Sequence, residues 1–211
     1  MSLDVISLFT NVTIELVLES LYRRIGKFSQ NTNFPFTEII IAVEFIFDHL
    51  YFKFNNNVYK QTKGCPMGLE PSPIFADLVM EDLEVYCLSK LDFQPLFYLR
   101  YVDDVITCVP QNKVQHMVDI FNGYNENLKF TYEIESNNQI SFLDVLLIRD
   151  GSRFVTNWYR KPTFSVRLLS FNSNHHTYQK IGVIYHLVDN AILLSTKIFH
   201  SNSNFIKNLI D

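Results

Sequence analysis

Asp103 and Asp104 stand side by side between two apolar, β-prone runs, Phe97-Tyr98-Leu99-Arg100-Tyr101-Val102 and Val105-Ile106-Thr107-Cys108-Val109. The pattern predicts a β-hairpin with its charges at the tip. Two carboxylates about 4 Å apart repel by roughly 1 to 4 kcal/mol, depending on the effective dielectric. A chain needing only a turn is better served by Asn-Gly or Asp-Gly, whereas a bound divalent cation turns the repulsion into affinity. A third carboxylate, Asp4, lies in the short apolar run Leu3-Asp4-Val5-Ile6. Three carboxylates at one sheet edge can hold two Mg2+ about 3.5 to 4 Å apart, one activating an attacking hydroxyl and the other a leaving phosphate. A solvated acidic turn is the competing reading, and spacing in sequence does not by itself bring Asp4 to the pair.

The elements that must position these groups follow from pattern and punctuation. Ser2 to Phe9 reads as a short strand. It opens the chain with no turn or cap upstream, which suggests that the natural domain begins earlier. Thr13 is a candidate N-cap for a helix to about Gly26, and Thr37 for an apolar helix over Ile40 to Leu50; Asn31 to Pro35 reads as a loop. Tyr51 to Phe54 and Val58 to Gln61 flank Asn55-Asn56-Asn57 as a hairpin. Ser72 as N-cap and Pro73 at the first helical position predict a long helix from Ile74 to about Leu91. A helix is expected around Lys113 to Asn122, then strands over Leu128–Glu135 and Gln139–Arg149 joined by Asn137-Asn138, an Asp150-Gly151 turn and a strand from Phe154 to Arg160. His176 to about Lys197 reads as a helix and Ser201 to Asp211 as a frayed end.

The 211 residues, 47% hydrophobic and 15% aromatic, suffice to bury a large core. The longest apolar stretch, Ile39 to Phe47, contains Glu44 and lies between Glu38 and Asp48, too short and too charged to span a bilayer. Cys65, Cys87 and Cys108 are scattered and without metal-ligand spacing, so neither a disulfide framework nor a zinc site is expected, and the default location is intracellular, nucleus or cytoplasm. Charge is divided unevenly. Residues 1–150 carry 11 Lys and Arg against 20 Asp and Glu, net −9, whereas residues 151–211 carry 7 against 2, net +5. An acidic, cation-binding body followed by a basic segment suits a protein that handles polyanions.

At this point the order of motifs resembles reverse transcriptases, and in detail the Penelope-like retroelement branch. The resemblance rests on Leu3-Asp4-Val5-Ile6-Ser7-Leu8-Phe9-Thr10-Asn11, on Gln61-x-x-Gly64-x-Pro66-Met67-Gly68 with Pro71-Ser72-Pro73 and Ala76-Asp77-Leu78-Val79-Met80-Glu81, on Tyr101-Val102-Asp103-Asp104, on Ser141-Phe142-Leu143-Asp144-Val145, and on Trp158-Tyr159-Arg160-Lys161-Pro162-Thr163. It implies an α+β polymerase palm, an antiparallel sheet backed by helices in the RRM/ferredoxin-like manner, over residues 1–150, with a basic partial thumb over 151–211 and the fingers missing. It further implies RNA-directed DNA synthesis from dNTPs on an RNA template and DNA primer, with two Mg2+ as cofactors, Mn2+ substituting, and no membrane. Asp4, Asp103 and Asp104 would be the catalytic carboxylates, holding metal together with the Val5 carbonyl. Phe9 would lie under the incoming sugar and exclude a 2′-hydroxyl. Gln61, Gly64, Pro66, Met67 and Gly68 would form the nucleotide-binding loop, and Tyr101, Arg160 and Lys161 would contact nucleic acid. Lys129 is a weaker candidate, as general acid toward pyrophosphate.

The sequence also departs from the family. Gly68-Leu69-Glu70-Pro71 replaces the usual Gly-Ser-Pro-Leu, and His175-His176 stands where His-Pro is expected. The triphosphate-binding basic residues of the fingers, expected upstream of Asp4, are not read in this sequence, nor is a GIY-YIG nuclease domain. The alternatives are a catalytically inactive retroelement remnant that at most binds nucleic acid, an RNA-dependent RNA polymerase, against which Phe9 argues, and an unrelated Mg2+-dependent hydrolase, for which no nucleophile arrangement is evident.

Overall fold

The computed structural model describes residues 1–26, 34–164 and 168–196, together with Asn202, Asn204, Phe205 and Lys207. The expected Asn31 to Pro35 loop and the frayed end from Ser201 fall mostly outside the described residues. The chain divides into two compact units, one over Leu3–Tyr132 and one formed chiefly by Glu133–Asp211.

The first unit is built on a four-stranded sheet of order β4-β5-β1-β6. Strand β1 covers Ser2–Val5, β4 Phe97–Tyr101, β5 Asp104–Cys108 and β6 Phe130–Glu133. β1 stops four residues earlier than the sequence pattern suggests, because Ser7 adopts a left-handed φ of 50° and a short helix α1, Leu8–Asn11, begins there. Helix α2, Ile14–Arg23, starts as expected at Thr13, whose hydroxyl accepts from the Leu16 amide at 3.5 Å. Helix α3 runs over Phe36–Asp48 with Pro35 at its N-cap, so Thr37 lies inside it. Strands β2, Tyr51–Phe54, and β3, Asn57–Lys60, form a separate hairpin. Asn55 and Asn56, both at positive φ, make its two-residue turn, and Asn57 is already paired with Phe54.

Helix α4, Ser72–Lys90, is the central helix and buries Phe75, Ala76, Val79, Met80, Leu83 and Cys87 at helical spacing. It begins two residues earlier than expected: Pro71 is the N-cap and the Ser72 hydroxyl, fully buried, caps nothing. α2 is fastened to α4 by charge as well as by packing. Arg24 meets Asp82 and Glu81, each at 2.7 Å, and Arg23 meets Asp82 at 3.1 Å. A 3-10 turn at Gln111–Lys113 leads into helix α5, Val114–Gly123, whose Phe121 ring lies 5.3 Å from Phe130 and 6.2 Å from Tyr98 and so packs the helix onto both edge strands.

The second unit holds an antiparallel meander of β7, Gln139–Phe142, β8, Val145–Asp150, and β9, Arg153–Trp158, followed by helix α6, Thr177–Leu193. The single strand expected over Gln139–Arg149 is therefore broken. Leu143 takes a φ of 52°, and Leu143-Asp144 makes a two-residue turn between paired Phe142 and Val145. Asn137 and Asn138, both left-handed, close an isolated Ser136–Gln139 bridge and do not join two strands of one sheet. α6 opens with a capping box between His176 and Gln179. Its Leu187 and Ala191 bury Trp158 together with Phe205. The C-terminal half of the outer edge of β9 is covered by Ser195 and Thr196, which bond to Trp158 and Thr156 at 2.9 to 3.0 Å.

Candidate active site

The turn of the β4–β5 hairpin is Val102-Asp103, one residue earlier than the Asp-Asp pair at the tip, because Asp104 is already the first residue of β5 and pairs with Tyr101. Val102 has a φ of 56°, a conformation that costs a β-branched residue of order 1–3 kcal/mol. The positive φ is confined to its first position, as in the second-unit turn, where Leu143 also precedes an aspartate.

Strand β1 lies directly beside β5, and the Val5 amide donates to the Asp103 carbonyl at 3.3 Å. Leu3 and Val5 are buried and Asp4 between them is exposed, as strand alternation requires. The fold thus carries Asp4 and Asp103 on neighbouring chain segments at one end of the sheet. Among the described residues, no three or more His, Cys, Asp or Glu side chains are gathered as a metal-binding cluster. Adjacent residues on a strand point to opposite faces, and Asp103 lies in the turn while Asp104 lies in the strand. The donors themselves, carboxylate oxygens, suit a hard divalent cation.

The loop after β3 docks on α1. The Cys65 amide donates to the Phe9 carbonyl at 2.7 Å, and Gly64, with a φ of 77°, lies against the backbone of Thr10. Gln61 uses its side-chain amide within the loop, on the carbonyls of Lys63 and Gly64 at 2.9 and 3.1 Å. Pro66 is half-buried, and Met67 and Gly68 form an exposed tip, with Met67 74% accessible. Phe9 is half-buried and Tyr101 exposed. A cavity of about 370 Å³ beside the loop is lined by Thr13, Glu15, Asp48, Lys60 and Lys63, and the hydrogen bond from Thr13 holds the Glu15 carboxyl below its ordinary value.

Two candidates have structural partners that redefine them. Lys129 donates to the carbonyls of Asn122 and Asn125 at 2.6 and 3.1 Å, closing the C-terminal end of α5, which leaves its ammonium committed to the fold. Arg160, in the second unit, stacks over Trp158 and Phe205 with its guanidinium carbon 5.3 and 4.1 Å from the ring centroids. Lys161 is exposed beside a cavity of about 310 Å³ lined by Asp144, Arg160, His186 and Asn190.

Sequence reasoning missed one group. Arg100 on β4 donates from Nε to Glu84 at 2.6 Å, from Nη2 to Asp77 at 2.8 Å and from Nη1 to the Val102 carbonyl at 3.2 Å. Tyr98 adds a bond to the same Glu84 oxygen at 3.0 Å. Burial acts to lower the Arg100 pKa, but Asp77 and Glu84 together outweigh it and hold the guanidinium above its ordinary value. A signal existed: a lone arginine in an apolar strand needs carboxylates, and α4 carries Asp77, Glu81 and Glu84 along one helical stripe.

An α+β unit whose antiparallel hairpin presents aspartates beside a strand bearing a third is consistent with part of a polymerase palm. Residues 1–135 match the family model of the reverse transcriptase (RNA-dependent DNA polymerase), and the chain belongs to that family. Residues 167–210 match the model of the animal helix-turn-helix domain. The fold is similar to that of apo telomerase from Candida tropicalis truncated from its C-terminal domain, with a TM-score of 0.52 and 18% identity over 70% of this chain and 33% of that one. It is also similar to telomerase from Candida albicans in complex with the TWJ fragment of telomeric RNA, with a TM-score of 0.50 and 14% identity over 88% of this chain and 33% of that one. The chain thus spans about a third of the length of these telomerases. No curated protein matches the sequence.

Proposed function

We propose that this chain is the palm portion of an RNA-directed DNA polymerase from a retroelement of the Penelope-like type, joining a dNTP to a primer 3′-hydroxyl on an RNA template. The observation that carries the reading is the bond between the Val5 amide and the Asp103 carbonyl, which ties the Asp4 strand to the aspartate-bearing turn in a chain of this family. Asp4 and Asp103 are the metal-binding carboxylates, with the Val5 carbonyl beside them and Asp104 in support. Two bound Mg2+, or Mn2+, would supply Lewis acidity for the attacking hydroxyl and the departing pyrophosphate. The protein's own contribution is positioning. Phe9, held through its carbonyl by Cys65, sets the floor under the sugar and excludes a 2′-hydroxyl. Gln61 and Gly64 shape the nucleotide loop, whose half-buried Pro66 and exposed Met67-Gly68 tip pack on the nascent base pair, and exposed Tyr101 contacts the primer strand.

In the second unit, the net positive charge of residues 151–211 and the helix-turn-helix match over 167–210 support a nucleic-acid contact made by Lys161 and, through its stacked guanidinium, Arg160. No helix among the described residues is long and apolar enough to cross a membrane, and the site of action proposed is nucleus or cytoplasm.

Primer extension with an RNA template and dNTPs, in Mg2+ and in Mn2+, tests the reading, using this chain and the same chain extended upstream. Extension that is abolished by Asp103→Asn supports it. Nucleic-acid binding without extension by either protein establishes instead an inactive remnant.

A further inference from the structure

We infer that Arg100 is a positioning residue for the catalytic turn: clamped between Glu84 and Asp77 of helix α4, its guanidinium holds the Val102 carbonyl and thereby the left-handed conformation that presents Asp103. The inference rests on the assignment of Asp103 to the active site. It begins from a conflict. A two-residue hairpin with a positive φ at its first position favours glycine there, and Val102, β-branched, is disfavoured on its own account. Such a conformation persists only where the surroundings over-determine it.

The surroundings do so through both carbonyls of the turn. The Asp103 carbonyl accepts from Val5, which belongs to the neighbouring strand, and the Val102 carbonyl accepts from Arg100 Nη1. A bond from an exposed, mobile side chain would hold little. Arg100, however, is only 16% exposed, as is Glu84, and Nε and Nη2 are both engaged on α4 when Nη1 reaches the turn. Because the guanidinium is planar and its donors are fixed in a fork, two bonds to the helix determine where the third points. A lysine could satisfy one carboxylate but could not present a donor to the turn at a fixed angle. The arrangement also links the turn to the central helix of the unit, so the height of Asp103 above the sheet is referenced to α4 and not to local propensity.

The test reads the conformation of Val102 directly. In the full chain labelled at valine and assigned by NMR, Val102 should show the strong intraresidue amide-to-Hα contact and the carbon shifts of a positive φ. Two variants are compared: Arg100→Lys, and Arg100→Met combined with Glu84→Gln, which removes the carboxylate that would be left buried and leaves unpaired only that of Asp77, which faces solvent. Expected in both is loss of the Val102 signature with the remaining β4 and β5 resonances in place, together with a roughly tenfold weaker Mn2+ dissociation constant by titration calorimetry, about 1.4 kcal/mol. Retention of the positive-φ signature in either folded variant overturns the inference. So does loss of dispersion throughout β4 and β5 in Arg100→Lys, which would make Arg100 a residue of the fold alone. Wild-type protein that binds no Mn2+ refutes the metal-site assignment for Asp4 and Asp103, while the Val102 signature still decides the role of Arg100.

Discussion

Gly64 lies so close to Thr10 that a Cβ on it would stand 2.5 Å from the Thr10 carbonyl oxygen. With the Cys65 amide bonded to the Phe9 carbonyl, this contact fixes the proposed nucleotide loop to the helix that carries the proposed sugar gate. The glycine is therefore required by the protein's own packing.

Gly64→Ala combines a backbone clash with a left-handed φ of 77° and should cost about 2 kcal/mol or more, lowering the melting temperature by roughly 4 to 8 °C. Gly68→Ala meets open space and bears only the strain of its φ of 98°, so its melting temperature should fall less. Thermal denaturation of the two variants side by side checks the contrast.

Replacement of Phe9 by Ala should admit ribonucleotides. The ratio of kcat/KM for dNTP over the matching rNTP is expected to fall by tenfold or more, equivalent to about 1.4 kcal/mol of lost discrimination. An unchanged ratio would refute the gate, and parallel loss on both sugars would mark Phe9 as a packing residue.

Asp103→Asn and Asp4→Asn should each weaken Mn2+ binding at least tenfold while changing the melting temperature little, since neither side chain is buried. Calorimetric titration of the wild type and both variants measures this. Equal Mn2+ affinity in all three would exclude these carboxylates as ligands.

Burial pushes the Cys65 and Cys87 thiols up to about 12 from an ordinary 9.0. The folded state therefore keeps these protons where the unfolded chain has lost them, so stability should fall as pH climbs from 9 towards 12. Native labelling at pH 8 should spare both cysteines and reach Cys108, which is partly exposed; mass spectrometry after alkylation reads the result.

Lys129→Met should lose about 0.5 to 1 kcal/mol through the uncapped carbonyls of Asn122, in the last turn of α5, and of Asn125 just beyond it, and leave the pH profile of primer extension unaltered. A general acid at this position would instead take the alkaline limb with it, and rate measurements across pH distinguish the two.

Much of the fold around the candidate site was legible in the sequence. The adjacent aspartates marked a hairpin, Thr13 a helix start, and Pro73 the opening of a long helix, because caps, turns and a fixed proline φ act over a few residues and leave local signatures. His176 was expected to open a helix and does so through a capping box. What local pattern could not decide was where each strand stops. Val102 and Leu143 have poor turn chemistry, yet both take a positive φ because pairing on either side and bonds from beyond the hairpin outweigh a preference worth only a few kcal/mol. Likewise, the acidic stripe of α4 announced that Arg100 would find carboxylates but not which: Asp77 and Glu84 take it, while Glu81 pairs with Arg24. Sequence by itself determined the chemical groups and their local elements; tertiary structure decided which groups share a bond, because hydrogen bonds and buried charges find partners through space and carry no period along the chain.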